Sequence, residues 1–370
     1  MRNVYGYMLT LTLFGESHGP AVGAVLDGLP AGIPVDEGLI ARKLAQRRPQ
    51  DGISTARREP DEYTVESGVY RGYTTGSPLC ILIPNRDVRS GDYDALAGAV
   101  RPGHADYPAA CRFRGFEDAR GGGHFSGRLT AAVAAAGAVV LGALEARGIR
   151  VATRLARCAG CADDRSFDFS HIDADIDALE SADFPTLSPE AGRRMREAIL
   201  AAKADGDSVG GVLETVVTGL PAGLGEPWFG SVEGMLSNGL FSIPAVKGVE
   251  FGGGFALADA RGSKSNDAYR VRDGQIVTAT NRMGGIGGGL TNGMPLVFRC
   301  AVKPTPSISH EQDSVDLRAG QDVRLSVPGR HDPCIAPRAR AVVDAVTALT
   351  LADLYVMRYG TDALAGGNRS

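Results

Sequence analysis

The chain has 370 residues, with 39 lysines and arginines against 43 aspartates and glutamates and a formal net charge of -4. That length builds two domains or one large one, and no linker or low-complexity tract divides it, so a single domain over 1–370 is expected. A slightly acidic balance excludes a general polyanion or nucleic-acid binder, which needs a broad basic surface, so the arginines must act locally.

The N-terminus, MRNVYGYMLTLTLFGES, lacks the continuous apolar run and small-residue cleavage site of a signal peptide. Leu9, Leu11 and Leu13 alternate with Thr10 and Thr12, the period-two pattern of a half-buried strand. AVGAVLDG (21–28) and SPLCILIPN (77–85) read as further strands. Between them Asp36 can cap a helix running to about Arg48, with Leu39, Ile40 and Leu44 inward and arginines in the last turn, where the helix dipole favours cations. An alanine-rich helix over 127–146 is apolar on nearly every side and so is expected to be buried. Its uncharged stretch, Leu129 to Leu144, is shorter than the roughly 18 to 20 residues of a membrane span. A soluble cytoplasmic protein with no membrane partner is the expectation. Ser188, Pro189 and Glu190 open a helix to about Lys203 in cap and first-turn order. GGVLETVVTG (210–219) reads as a strand, and Pro337 opens a last apolar helix to about Met357. Buried helices interleaved with strands predict α/β layers.

Six cysteines, at 80, 111, 158, 161, 300 and 334, follow no framework spacing and suit reduced thiols. The CAGC pair at 158 and 161 has no second pair and no histidine pattern, so it reads as two incidental thiols rather than a redox or metal site, and no metal is expected. Glycine is the oddity: 50 residues is roughly twice the average usage of about 7%. Runs at 121–123, 252–254 and 284–289 either cradle an anion or cofactor with backbone amides or simply form turns and bulges. None fits the dinucleotide GxGxxG or the GxxxxGK[ST] phosphate loop.

GESHG at 15–19 is formally the GxSxG nucleophile elbow, which would make Ser17 the nucleophile of a serine hydrolase. His18 within it, and His104 in RPGHAD, each read alone as structural hydrogen-bonders. Their glycine-flanked, arginine-rich surroundings raise a proton-transfer role, because imidazole titrates near neutrality. Arg47, Arg48, Arg57, Arg58, Arg120, Arg128 and Arg330 each read singly as solvated surface residues. Several beside glycine loops point instead to a site for a small, multiply anionic substrate, which the guanidinium fork clamps bidentately.

FGESHG, RREPDE, SGVYRGYTTGSPL, RPGHADY, RGGGHFSGR, PAGLGEPWF, AVKGVEFGGGF, KPTPSI and GRHDPCIAPRA, in that order, resemble chorismate synthases along nearly the whole chain. Only about 150–205 carries no recognisable block. The resemblance implies a lyase of the shikimate pathway, in aromatic amino acid biosynthesis, that makes chorismate from 5-enolpyruvylshikimate 3-phosphate by 1,4-anti elimination of phosphate. Reduced FMN is required without net redox change, lending and recovering electron density while the protein binds, orients and manages protons.

By the same resemblance Ser17, Arg47, Arg128 and Arg330 bind substrate, His18 assists the departing phosphate, His104 protonates or balances the reduced flavin, and Asp332 manages the flavin N5 proton. Alternatively Asp332 is merely paired to an arginine such as Arg330. The flavin contacts implied are His124, Phe125, Ser126, Ala245, Gly288, Lys303, Pro304, Thr305, Pro306, Ser307 and Arg330, with Lys303 a countercharge to the FMN phosphate. The implied fold is a β-α-β sandwich, a helical layer between antiparallel sheets, assembled as a homotetramer. Some relatives reduce their own flavin, which brings NADP into the family's vocabulary. This chain shows no added domain or nucleotide fingerprint, so an external flavin reductant is expected. Three departures stand out: no arginine between Arg48 and Arg57, with Arg57 the alternative to reach in; Leu129 at a frequent glutamate; and His124 and Phe125 at a polar or basic pair. A noncatalytic flavin or anion sensor is the third reading, and intact His18, His104 and Asp332 weigh against it.

Overall fold

The computed structural model describes residues 3–49, 52–55, 59–86, 98–327 and 331–365. Two antiparallel sheets enclose a layer of helices. The first sheet comprises β1 (Val4–Tyr5), β2 (Thr10–Gly15), β3 (Ala21–Asp27), β4 (Thr64–Ser67) and β5 (Leu79–Pro84), in the order β1-β2-β3-β5-β4. The second comprises β6 (Arg150–Cys158), β7 (Cys161–Ala162), β8 (Gly211–Thr218), β9 (Val246–Phe251) and β10 (Leu296–Val302), in the order β9-β10-β8-β6-β7. Period-two patterning decides which face of the first sheet turns inward. Leu9, Leu11, Val22, Ala24, Leu26, Leu79, Ile81 and Ile83 are all buried.

The described helices of eight residues or more are α1 (Glu37–Arg47), α2 (Asp106–Phe113), α3 (Thr130–Glu145), α4 (Ile172–Ser181), α5 (Pro189–Ala204), α6 (Val232–Ser242) and α7 (Ala336–Tyr359). The expected start signals act as capping predicts: Asp36 accepts from the N–H groups of Gly38 and Leu39, and Ser188 from that of Ala191. Helix α3 packs against α7, α1 and strands of both sheets, and α7 packs against the second sheet, α1 and α6. A helix covered on several sides cannot be amphipathic, which is why α3 and α7 are apolar nearly all round. The helical run from Gly127 to Glu145 is 19 residues long with a mean hydropathy of 1.7, reaching the membrane-span range that the shorter uncharged stretch did not. It is the core helix of the sandwich, with 83% of its apolar window inside the protein.

At the crossing of α3 and α7, Gly137 replaces a side chain with close backbone approach: a Cβ there would stand 2.7 Å from Ala345 Cα. Asp353, buried on α7, accepts the N–H groups of Tyr7, Met8 and Leu9 at 2.8, 2.8 and 2.9 Å, which fastens the start of β2 to the helical layer. One contiguous core runs from Leu9 to Leu364. A second, smaller core of Ala152, Phe167, Ile176, Leu179, Leu187 and Val216 joins α4 to the second sheet, so β6 is buried along almost its whole length. This is the stretch that matched no family block.

Replacing Gly137 by alanine is expected to lower the unfolding free energy by about 1–3 kcal/mol through overpacking, outweighing the roughly 1 kcal/mol that alanine's helix propensity adds. The shift of the urea midpoint at constant slope measures it.

Candidate active site

FGESHG forms the turn of the β2–β3 hairpin: Gly15 pairs with Val22, and the N–H of Gly19 reaches the Glu16 carbonyl at 3.1 Å. A serine elbow needs a strand leading into a helix, and this serine lies between two antiparallel strands. Ser17 is fully buried, its N–H donates to the Gly123 carbonyl at 3.0 Å, and its hydroxyl has no hydrogen-bond partner. The hydrolase geometry is therefore missing. Instead the hairpin tip lies under the glycine turn. Gly121, Gly122 and Gly123 all have positive φ, at 60°, 82° and 52°, a conformation that side chains disfavour. A Cβ on Gly121 would come within 2.5 Å of His18 Nε2, so glycine here lets the backbone close over the histidine.

The rest of the turn is fixed from both sides. His124 donates from Nδ1 to the Gly15 carbonyl at 2.8 Å, and Ser126 caps the next turn by accepting the Arg128 N–H at 3.2 Å. Phe125 meets Phe113 of α2 edge to face, with ring centres 6.1 Å apart. The 101–128 run thereby folds back on itself, with α2 against the residue after the glycine turn.

Arg47 and Arg128 are not the solvated residues that each reads as alone. Arg47 donates to Thr130 Oγ1 at 3.0 Å, to Asp61 Oδ2 at 2.9 Å and to the Gly127 carbonyl at 3.1 Å. Burial and the neighbouring Arg338 and Arg128 push its pKa down to about 10 against the attraction of Asp61, and it stays charged at neutrality. Arg128 donates to Asn85 Oδ1 at 2.8 Å, to the Pro84 carbonyl at 3.2 Å and to Asp61 Oδ1. Asn85 in turn donates to the carbonyls of Glu16 and Gly19, tying the arginine to the hairpin tip. Arg120 behaves differently: it is exposed and paired with Asp118 at 2.8 Å.

The second group joins the 101–106 segment, which leads into α2, to residues at the ends of β9 and β10 of the second sheet. Arg101 clasps Asp106 through Nε and Nη2 at 2.8 and 2.7 Å, and this fixes the loop that carries His104. His104 Nε2 is 2.6 Å from Ser307 Oγ. Burial, together with Arg101, Lys303 and His331, pushes its pKa down to about 4 despite Asp106, so the imidazole is neutral. Lys303 donates from Nζ to the Gly103 carbonyl at 2.7 Å and from its backbone to the Ala245 carbonyl at 2.9 Å. Its ammonium is held below the ordinary value by burial and by Lys247. Ala245 takes a positive φ of 73°, a strained setting for alanine. Ser208 donates to the Thr305 carbonyl at 2.6 Å, and the buried Thr305 hydroxyl has no partner.

Asp332 accepts from the Thr55 N–H at 2.9 Å and from Arg338 at 3.2 Å, so among the described residues Arg338 is the arginine beside it. Arg338 acts on Arg47 and His331 acts on His104, so the 331–338 segment links the two groups. Gly288, with a φ of 63°, lies in the Ile286–Thr291 hairpin, whose described hydrogen bonds run to residues 221–232. Arg57, Arg58 and Arg330 lie outside the described residues. Sequence reading missed Asp61, Asn85, Lys247 and Arg338. Asp61 and Lys247 were present in the quoted blocks RREPDE and AVKGVEFGGGF as charges without a partner.

A sequence profile described as Chorismate synthase matches residues 9–356. The chain belongs to the chorismate synthase family. The chorismate synthase of Pyrococcus abyssi is 46% identical over 353 residues, covering 95% of this chain and 97% of the relative. That of Aeropyrum pernix is 47% identical over 360 residues, covering 96% and 93%. A solved structure titled a crystal structure of chorismate synthase superposes with a TM-score of 0.76 at 28% identity, covering 96% of this chain and 94% of that one. The activity is accordingly that of a carbon–oxygen lyase acting on a small-molecule substrate, in the shikimate route to aromatic amino acids.

The pH dependence of stability follows from His104. Its folded pKa of about 4 lies below the unfolded 6.5, so the unfolded chain takes up the proton first and the fold loses stability as pH falls through that window. The loss is at most about 3 kcal/mol. His104→Gln is expected to flatten this limb, read from urea midpoints across the same range. An unchanged slope would assign it to other groups.

Proposed function

We propose that the protein converts 5-enolpyruvylshikimate 3-phosphate to chorismate by 1,4-anti elimination of phosphate, with reduced FMN required and no net redox change. The observation that carries this reading is the buried Ser17–His18 hairpin tip, closed over by the glycine turn and flanked by Arg47 and Arg128. A multiply anionic substrate needs clustered, always-charged guanidiniums, and a leaving phosphate needs a proton donor within a water-poor pocket.

A flat, phosphate-bearing cofactor fits the second group. Lys303 beside Lys247 offers two like charges that an anion would relieve, and the buried, unpartnered hydroxyl of Thr305 is free to donate. His124, Phe125, Ser126, Ala245, Pro304, Pro306 and Ser307 would hold it, with Gly288 and Arg330 completing the set. When bound, reduced FMN supplies the electron density that makes the allylic phosphate leave.

The chain's own residues supply binding and proton control. Arg47, Arg128 and Arg330 hold the anionic groups, and the Ser17 hydroxyl orients one of them. His18 gives a proton to the phosphate oxygen. His104 is neutral in the free protein, and a negative charge bound beside it raises its proton affinity, which is what a proton-holding role requires. Asp332 holds a proton-accepting carboxylate between Thr55 and Arg338.

The chain folds as one domain, a reading supported by the single main core. It works in the cytoplasm with an external reductant. A homotetramer is supported by large aromatics left on the surface, Trp228, Phe229 and Phe255, which are 85%, 95% and 84% exposed.

Anaerobic turnover with and without chemically reduced FMN, following chorismate absorbance and phosphate release, tests the reading. Product is expected only with reduced FMN, and His18→Ala should lower kcat by about 10²–10⁴-fold while FMN stays bound. Phosphate release that needs Ser17 but no flavin would favour hydrolysis. A folded, flavin-binding protein without product would favour a sensor.

A further inference from the structure

We propose that Asp61 is the positioning residue of the anion pocket, a single buried carboxylate that holds Arg47 and Arg128 side by side and sets where their charges face the substrate. The inference rests on the chorismate synthase reading of this pocket.

Asp61 is 1% exposed and shares its two oxygens between the two guanidiniums, Oδ2 with Arg47 at 2.9 Å and Oδ1 with Arg128. Its backbone adopts a positive φ of 50°, a strained setting for a residue with a side chain. The carboxylate stands between the C-terminal residue of α1, which is Arg47, and the turn leading into α3, which carries Arg128. Two buried guanidiniums repel each other, as the depression of the Arg47 pKa by Arg128 records, and Asp61 opposes that depression. Arg48 adds a third charge, its Nε 3.9 Å from Asp61 and without a hydrogen-bond partner, while Glu59 is 4.0 Å from Arg128. Among the described residues, these three guanidiniums stand against two carboxylates, which leaves a positive surplus for the ligand. Asp61 thus balances most of the repulsion and leaves an anion to balance the rest.

The two functions of Asp61, countercharge and placement, separate in two variants. Asp61→Asn keeps the shape and removes the charge. The pocket then attracts anions at least as strongly but holds them loosely, so kcat is expected to fall about 10–100-fold while KM does not rise. The missing countercharge should also make the variant respond to inorganic phosphate: its unfolding midpoint rises in phosphate, relative to chloride at equal ionic strength, by more than that of the unchanged protein. Asp61→Glu restores the charge one methylene away, and is expected to lose the phosphate response while kcat stays depressed. Where Asp61→Asn does not fold in chloride, folding in phosphate supports the proposal, and failure in both overturns it. Wild-type kcat and KM in Asp61→Asn, or a phosphate response no larger than wild type, also overturns it. The phosphate arm needs no turnover, so a protein that makes no chorismate at all would sink the enzyme reading and leave this measurement standing.

Discussion

The structure depends on a helical layer with protein on both sides. Helices α3 and α7 have almost no face on which a charge could meet water, and the polar groups that do enter are tied down. Lys43 and Asp344 form a buried pair at 2.8 Å, and Arg340 reaches the carbonyls of Leu179 and Ala182. Stripping one partner from such a pair costs several kcal/mol, about 3–5, so pairing is a condition for burial rather than an ornament of it. The consequence for function is geometric. Charged groups that must face a ligand can enter the layer only at the helix ends, and that is where they are: Arg47 closes α1, Arg128 stands just before α3, and Arg338 lies in the first turn of α7. The first sheet contributes its hairpin tip and the second its loops, so the chemistry collects along one margin of the sandwich.

That margin is short of solvent, and the lack of water changes what each side chain can do. His104 loses its proton affinity through burial and cationic neighbours, whereas an exposed histidine would titrate near neutrality. Arg47 remains a cation because a carboxylate opposes the same forces. Charge in this region is therefore decided by neighbours several loops away rather than by residue type.

Much of the fold was legible because its signals are local. Alternating leucines marked β2, and Asp36 and Ser188 marked helix starts through hydrogen bonds spanning three residues. The nearly all-apolar run at 127–146 announced a helix with almost no wet side. The order of the family blocks brought Ser17, His18, Arg47, Arg128 and Asp332 forward as candidates. What stayed hidden was non-local. Nothing near Asp61 says that two arginines, from positions 47 and 128, will share it. GESHG matches a hydrolase pattern by composition, and only the antiparallel pairing of its flanking strands removes that reading. Arg338 lies six residues beyond Asp332, and only the first turn of α7 brings it to the carboxylate. The uncharged stretch at 129–144 understated its helix because Gly127 and Arg128 extend the run beyond it.

The second core, under α4, belongs to the one long stretch that matched no family block. Its residues draw on β6 and β8 from the side away from the helical layer, with Arg165 and Asp175 pairing locally at 2.9 Å. Because it shares strands with the main core but none of the catalytic candidates, this layer can exchange its amides in a cooperative opening of its own without dismantling the margin where the chemistry lies. Substitutions confined to this layer are thus able to change the thickness and thermal tolerance of the molecule while leaving the helical layer and its arginine-bearing helix ends in place.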